Sequence, residues 1–207
     1  MPHHRKYVIK YSSALCAMLV LVVMGVRALA AAPSASDQTK LADSMDKKIG
    51  AVRENGAKAR PTAKTTVFTQ DEVNAYFAER RVPKMPEGVR SVRFVLSADS
   101  VLAKARIDFD DITRSRRTSN PLMYLFSGVH NVEVIAKTGN AGPGMVHAAV
   151  ESVTIDGVSV PRMALQFFID RFVNPKYPQV DLDQDYKLPA KMDSVVIGAG
   201  KGTVTQK

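Results

Sequence analysis

Leu41, Met45, Ile49 and Val52 recur at spacings of four, four and three. That spacing lines up one apolar stripe and predicts a helix from about Asp37 to Asn55. Gly50 weakens the helix, Gly56 ends it, and Ala57–Lys64, with Pro61, reads as a flexible linker. The sharpest local signal follows in Val67-Phe68-Thr69-Gln70-Asp71-Glu72-Val73. Thr69 stands as N-cap with Glu72 three residues on, a capping box in which the hydroxyl takes a free backbone N–H and the carboxylate reaches back to the cap. Asp71 and Glu72 also suit the positive end of the helix dipole. Phe68 can staple onto Val73, and Tyr76 and Phe77 continue the apolar face to about Arg81, where Pro83 and Pro86 stop it.

From Val89 the period becomes two. Val92, Phe94 and Leu96 alternate with Arg93 and Val95. After Ala98-Asp99-Ser100, the series Val101, Ala103, Ala105, Ile107 and Phe109 alternates with Lys104, Arg106, Asp108 and Asp110. This predicts an antiparallel hairpin with one wet face. Asn120–Phe126 reads as a short apolar helical turn. Val129–Ala136 and Met145–Ile155 form a second hairpin around the glycine-rich loop Thr138–Gly144. Asp156-Gly157 is a two-residue turn returning through Val158 and Val160, and Pro161 suits the first position of a helix. That helix, Met163–Val173, is the most apolar segment after residue 30, with Leu165, Phe168, Ile169 and Phe172 on its face. Asn174–Pro189 reads as extended chain. Asp193–Ile197 and Gly202–Thr205 are two last strands around Gly198-Ala199-Gly200.

The start of the chain sets the compartment. Arg5, Lys6 and Lys10 precede the apolar run Ala14–Val26, and Ala28-Leu29-Ala30 follows. A basic start, an apolar core and an A-x-A end define a secretory signal peptide over residues 1–30, cleaved after Ala30 or alternatively after Ala32. An uncleaved anchor is the alternative, against which stand the shortness of the run and Arg27 at its end. The expected location is periplasmic or extracellular, with membrane association if the segment stays. Cys16 is the only cysteine, so beyond residue 30 there is no thiol, disulfide or cysteine–metal site. Of the formal charge of +9, four of the 29 bases and none of the 20 acids lie in residues 1–30, leaving 25 bases against 20 acids. A modest positive field favours anionic partners, among them a membrane surface. Export and the lack of a basic-aromatic motif argue against nucleic acid.

Candidate chemistry is sparse. A symmetric pairing of the second hairpin puts His130 opposite about Glu151 and His147 opposite about Val134, a possible acid/base couple or metal pair. Asp108, Asp110 and Asp111, and again Asp181, Asp183 and Asp185, offer hard oxygen ligands but lack the glycine and closing glutamate of a calcium loop. No nucleophile elbow, phosphate loop or H-E-x-x-H is present. Gly198-Ala199-Gly200-Lys201-Gly202-Thr203 reads as a hairpin turn. No catalytic residue, metal site or cofactor is expected, and the chain is read as a non-enzyme.

The order of these elements resembles a set of exported bacterial families: the YceB-like lipoproteins, the YpmS-like and the LmeA-like proteins, and beyond them the lipid-binding TULIP domains. The matching residues are Phe68-Thr69-Gln70-Asp71-Glu72-Val73-Asn74-Ala75-Tyr76-Phe77, like an S/T-x-x-E-(L/V/I)-N helix start, and the strand ending Ile107-Asp108-Phe109-Asp110. Asp156-Gly157-Val158-Ser159-Val160-Pro161 before an apolar helix and the late Tyr186-Lys187-Leu188-Pro189 also match. There is no lipobox cysteine, and an N-terminal helix and basic linker are added. The resemblance covers roughly 65–207 and implies a lipid or other hydrophobic ligand in a sheet-wrapped cavity.

The expected architecture is therefore α+β, a highly curved antiparallel sheet packed on one or two long helices, a TULIP-like half-barrel. Residues 31–64 form an N-terminal helix and linker, and 65–207 form the domain. The expected function is non-catalytic binding of a hydrophobic or lipidic ligand in the cell envelope, with Phe94, Leu96, Leu165, Phe168, Ile169 and Phe172 lining the groove. A scaffold that binds another, unidentified protein is the alternative.

Overall fold

A computed structural model describes residues 34–79, 81–82, 85–114 and 126–207. The export segment expected over 1–30, and the apolar turn expected over 120–126 apart from Phe126, lie outside the described residues. Helix α1 (Ala35–Ala57) follows the apolar stripe, two residues longer at each end than its spacing predicts. Ser34 caps it by accepting from the Asp37 N–H at 3.3 Å. Met45 and Val52 are buried in one cluster with residues of the second helix and the sheets.

Gly56 does not stop α1 from beyond its end. It sits buried inside the last turn, where a Cβ would stand 2.1 Å from the carbonyl oxygen of Ala190. Only a residue without a Cβ lets the two backbones approach this closely. Gly56→Ala is expected to cost about 2 kcal/mol or more of stability, seen as a lower urea midpoint. An unchanged midpoint would show that the backbone yields there. Beside this contact Gln206, 1 % exposed, donates to the carbonyls of Val52 (3.0 Å) and Ala190 (2.7 Å) and accepts from Asn55 Nδ2 (3.1 Å). The Asn55 amide also pairs with the Thr62 backbone at 2.8 and 3.0 Å, which pins the segment leaving α1.

The chain continues through β1 (Lys64–Thr69), α2 (Gln70–Ala78), β2 (Val89–Ser97), β3 (Ser100–Asp108), α3 (Phe109–Thr113), β4 (Val129–Asn140), β5 (Met145–Ile155) and β6 (Val158–Ser159). Helix α4 (Arg162–Phe168) runs on as a π-helical turn, Ile169–Val173, before β7 (Asp183–Lys187), β8 (Met192–Gly198) and β9 (Lys201–Gln206). The fold is α+β with two open antiparallel sheets. The smaller has the order β1-β9-β8 and the larger β2-β3-β4-β5-β6, with β7 pairing the first half of β5.

Helix α2 forms as its capping box requires: Thr69 Oγ1 accepts from the Glu72 N–H at 3.2 Å, and Glu72 accepts from the Thr69 N–H at 2.8 Å. Asn74 then acts as a substitute neighbour for the edge strand β2, accepting from the Phe94 N–H (2.7 Å) and donating to the Phe94 carbonyl (2.8 Å). Gln70 accepts from the Leu96 N–H at 2.7 Å. An otherwise open sheet edge is covered by two side-chain amides.

Four local expectations are corrected. Strand β4 runs through Thr138 and Gly139 to Asn140, because these residues complete the ladder with β5, and only residues 141–144 turn. Asp108 ends β3 and caps α3, accepting from the Asp110 and Asp111 N–H groups at 3.2 and 3.4 Å, so Asp110 leaves the strand face. Pro161 is the cap before α4 rather than its first residue. Asp183–Lys187, read as plain extended chain, pairs with β5. The Asp156-Gly157 turn forms as expected, with φ of 49° and 83°, the paired left-handed residues of a tight hairpin.

Candidate functional site

Two apolar clusters are built from sheet and helix residues. The first joins α1, α2 and both sheets and includes Phe77, Phe94, Leu96, Val101, Val146, Tyr186 and Ile197. The second gathers Phe109, Phe126, Val132, Val153, Ile155 and Val160 under Ala164, with Leu165 and Phe168 packed against it. Val134 and Val150, on neighbouring strands, pack against both clusters and keep part of their surface exposed.

The six predicted groove residues divide between these places. Phe94 and Leu96, 0 and 1 % exposed, belong to the first cluster, with the Phe94 ring edge-on to Phe77 at 4.8 Å. Leu165, Phe168, Ile169 and Phe172 come together on α4 and its π-helical turn. Phe168 stacks on Phe126 at 4.5 Å, meets Phe109 edge-on at 5.6 Å and tilts against Phe172 at 5.3 Å. Leu165, Phe167, Phe168 and Ile169 are half-buried, Phe172 is buried and Met163 is 77 % exposed, so the apolar helix is only partly covered.

The π-helical turn is closed by the Asn174 N–H donating to the Ile169 carbonyl at 2.8 Å, and such turns collect at functional sites. Asn174 Nδ2 donates to Asp170, while its Oδ1 is buried without a hydrogen-bond partner in the described structure. Phe109, Phe126, Val134 and Val150 were not singled out from the sequence. Phe109 reads there as the last residue of a strand, and nothing in a local pattern separates Val134 and Val150 from ordinary core positions.

Charged groups ring the second cluster. Arg90 meets Asp108 at 2.6 Å and Asp111 at 2.7 Å, holding the Asp108 carboxyl below the usual range. The acids read as candidate cation ligands are thus engaged by an arginine and by backbone N–H groups. His130 does not face Glu151, which pairs with Lys137. Strand β4 continues past Gly139, so the register moves: His130 aligns with Ile107 on β3, and His147 lies opposite Gly139 on one side and Asp185 on the other. His147 Nδ1 is 2.9 Å from Asp185, and Nε2 is 3.4 Å from Asp183. Among the described residues, no group of three His, Cys, Asp or Glu side chains could hold a metal ion.

His130 Nδ1 lies 2.5 Å from the Asp156 carboxylate and Nε2 lies 2.6 Å from the Ser127 carbonyl. Both neighbours are acceptors, so both ring nitrogens donate and the geometry favours imidazolium. The Asp156 hydrogen bond, then the Ser127 carbonyl, raise the His130 pKa above the usual range. This clasp holds Ser127, next to Phe126 of the aromatic cluster, against the β5–β6 turn. A raised folded-state pKa stabilises fully below the ordinary histidine range and stops doing so as pH rises through the folded value. Wild type is therefore expected to lose stability as pH rises from the ordinary histidine range through the higher folded-state value, a component missing from His130→Gln. An NMR titration placing His130 at or below the ordinary value would contradict this.

Comparison of the chain with protein-family models, curated proteins and solved structures returned no match. Among the described residues no helix is long and apolar enough to cross a membrane.

Proposed function

We propose that the chain is an exported, non-catalytic binding protein for a hydrophobic or lipidic ligand, held by its apolar chain between the two clusters. The observation that supports this is the strip of Val134 and Val150, part-exposed and packed against both clusters, with the half-buried Leu165 and Phe168 packed against the second of them. Burying an apolar chain there gains roughly 0.8 kcal/mol per methylene. The positive balance beyond residue 30 favours an anionic head group on that ligand. A sheet curved like the TULIP half-barrel, and kinship with the YceB-, YpmS- and LmeA-like proteins, belong to the same reading. His130 and His147 each have both ring nitrogens facing an acceptor, which favours binding over acid/base chemistry.

The test is native mass spectrometry of protein taken from its own envelope, together with uptake of a fluorescent fatty acid. Co-purifying lipid and saturable uptake are expected, with uptake about tenfold weaker in Leu165→Arg. Neither lipid nor uptake would overturn the proposal, and a specific protein partner in its place would make the chain an envelope scaffold.

A further inference from the structure

The outer face of the large sheet carries a regular grid set by the register of β2, β3 and β4. Its cross-strand rows are Ser91–Arg106–Asn131, Arg93–Lys104–Glu133, Val95–Leu102–Ile135 and Ser97–Ser100–Lys137. Alternation along each strand puts these residues on the side away from the buried Phe94, Leu96, Val101, Ala103, Val132 and Ala136. Two features of the grid oppose stability in water. Arg93 and Lys104 are like charges directly opposite one another, an unfavourable cross-strand pair. Three apolar side chains are aligned on a wet face, Ile135 being 37 % exposed and Val95 and Leu102 half-buried.

Lys104 is met by Glu133 at 2.5 Å, and Lys137 by Glu151 at 2.6 Å. Arg93 and Arg106, both exposed, form no ion pair among the described residues. The apolar row thus lies between a row headed by two facing cations and a row ending in Lys137.

We propose that this face docks flat on an anionic lipid bilayer. The row Val95–Leu102–Ile135 meets the boundary between head groups and acyl chains, while Arg93, Lys104 and Arg106 meet lipid phosphates. An anionic surface removes the repulsion between Arg93 and Lys104, and only a surface with hydrocarbon beneath it rewards the apolar row. A soluble polyanion does nothing for that row. A second copy of the chain would bring no excess of negative charge to Arg93 and Arg106, since the glutamates of this face are already paired with Lys104 and Lys137. The site is on the opposite side of the sheet from the apolar clusters and stands independently of the ligand proposed there.

Two measurements on the full chain test this. Binding is taken as the difference between phosphatidylcholine vesicles with and without phosphatidylglycerol, so any contribution of residues 14–26 common to all variants drops out. Each cation at an anionic surface contributes about fivefold to partitioning, so the double variant Arg93→Glu, Arg106→Glu should weaken the difference by at least about tenfold. Lys58→Glu with Arg60→Glu, the same change of charge at the far end of α1, should not. Added salt should weaken binding of the wild type. In a Cys16→Ser background, an environment-sensitive dye on Ile135→Cys should shift to the blue on phosphatidylglycerol vesicles, and the same dye on Val196→Cys should not. Equal losses in the two charge variants, an unshifted dye at position 135 on bound vesicles, or equally tight binding to dextran sulfate would each overturn the proposal.

Discussion

Replacing Glu72 with alanine is expected to cost about 3 kcal/mol of folding stability, read as a lower urea midpoint at neutral pH. Glu72 is 5 % exposed, yet its carboxylate accepts from Lys48 Nζ at 2.6 and 2.7 Å, from Ser44 Oγ at 2.5 Å and from the Thr69 N–H at 2.8 Å. One side chain therefore fastens α1 to α2 and closes the cap of α2. Alanine leaves the Thr69 N–H and the Lys48 ammonium without this partner. Lys48 keeps the Val67 carbonyl at 2.8 Å and some access to water, which holds the cost at the lower end for a broken buried pair. Glu72→Gln keeps one acceptor oxygen for the Thr69 N–H, while its amide N–H can donate to the Ser44 hydroxyl, and should cost about half as much.

The same residue shapes the acid response. Burial, the largest single influence, pushes the Glu72 pKa up, but the Lys48, Ser44 and Thr69 hydrogen bonds with the Lys48 charge outweigh it, and the net shift is downward. A carboxyl with a lowered folded-state pKa contributes its stability above the ordinary glutamate range and loses it as pH falls through the folded value. Urea midpoints followed into acid should therefore fall less steeply for Glu72→Gln than for wild type. Identical acid slopes, or a neutral-pH midpoint unmoved in Glu72→Ala, would remove the pair as the link between the helices.

Phe94→Ala is expected to cost about 3–5 kcal/mol, because the ring is fully enclosed and its removal leaves a cavity that a paired strand cannot collapse into. The backbone on either side of that ring is held by Asn74 as well as by β3, so relaxation is restricted. Phe168→Ala should cost less, about 2 kcal/mol, since Phe168 is only half-buried. The functional order should be the reverse. At temperatures where both variants are folded, Phe94→Ala should keep fatty-acid uptake and Phe168→Ala should lose most of it. Uptake lost in Phe94→Ala and kept in Phe168→Ala would move the proposed ligand to the first cluster.

The capping-box stretch shows how much is legible in local chemistry. Thr69, Glu72, Val73, Tyr76 and Phe77 fall where their side chains predict, because a cap, a dipole and an apolar stripe act within one or two helical turns. The Ala98-Asp99, Asp156-Gly157 and Ala199-Gly200 turns are legible for the same reason. So are the strands of both hairpins, where period-two alternation spans the core. Asn74 is different. Its motif position is visible, but its task of closing the β2 edge depends on a strand twenty residues away.

The groove residues divide along the same line. Leu165, Phe168, Ile169 and Phe172 share a helix face, so spacing alone brings them together. Phe94 and Leu96 share a strand face with no mark of which apolar cluster it meets. Register was illegible too: ladder bonds through Thr138 and Gly139 outweighed the loop preference of glycine, moving His130 and His147 away from their expected partners.

By itself the sequence determined most of the elements and their order, most turns, the α+β class and which side of the hairpin strands is apolar, but not β1, α3 or β7. The former follow from forces acting over a few residues. Tertiary structure alone decided that α1 joins the main core through Met45 and Val52, that Gly56 is needed against Ala190, and that Phe109 and Phe126 meet Phe168. It also decided that Arg93 stands opposite Lys104. Those outcomes depend on closing long loops around particular contacts, and a contact between distant segments leaves no period or spacing in either one.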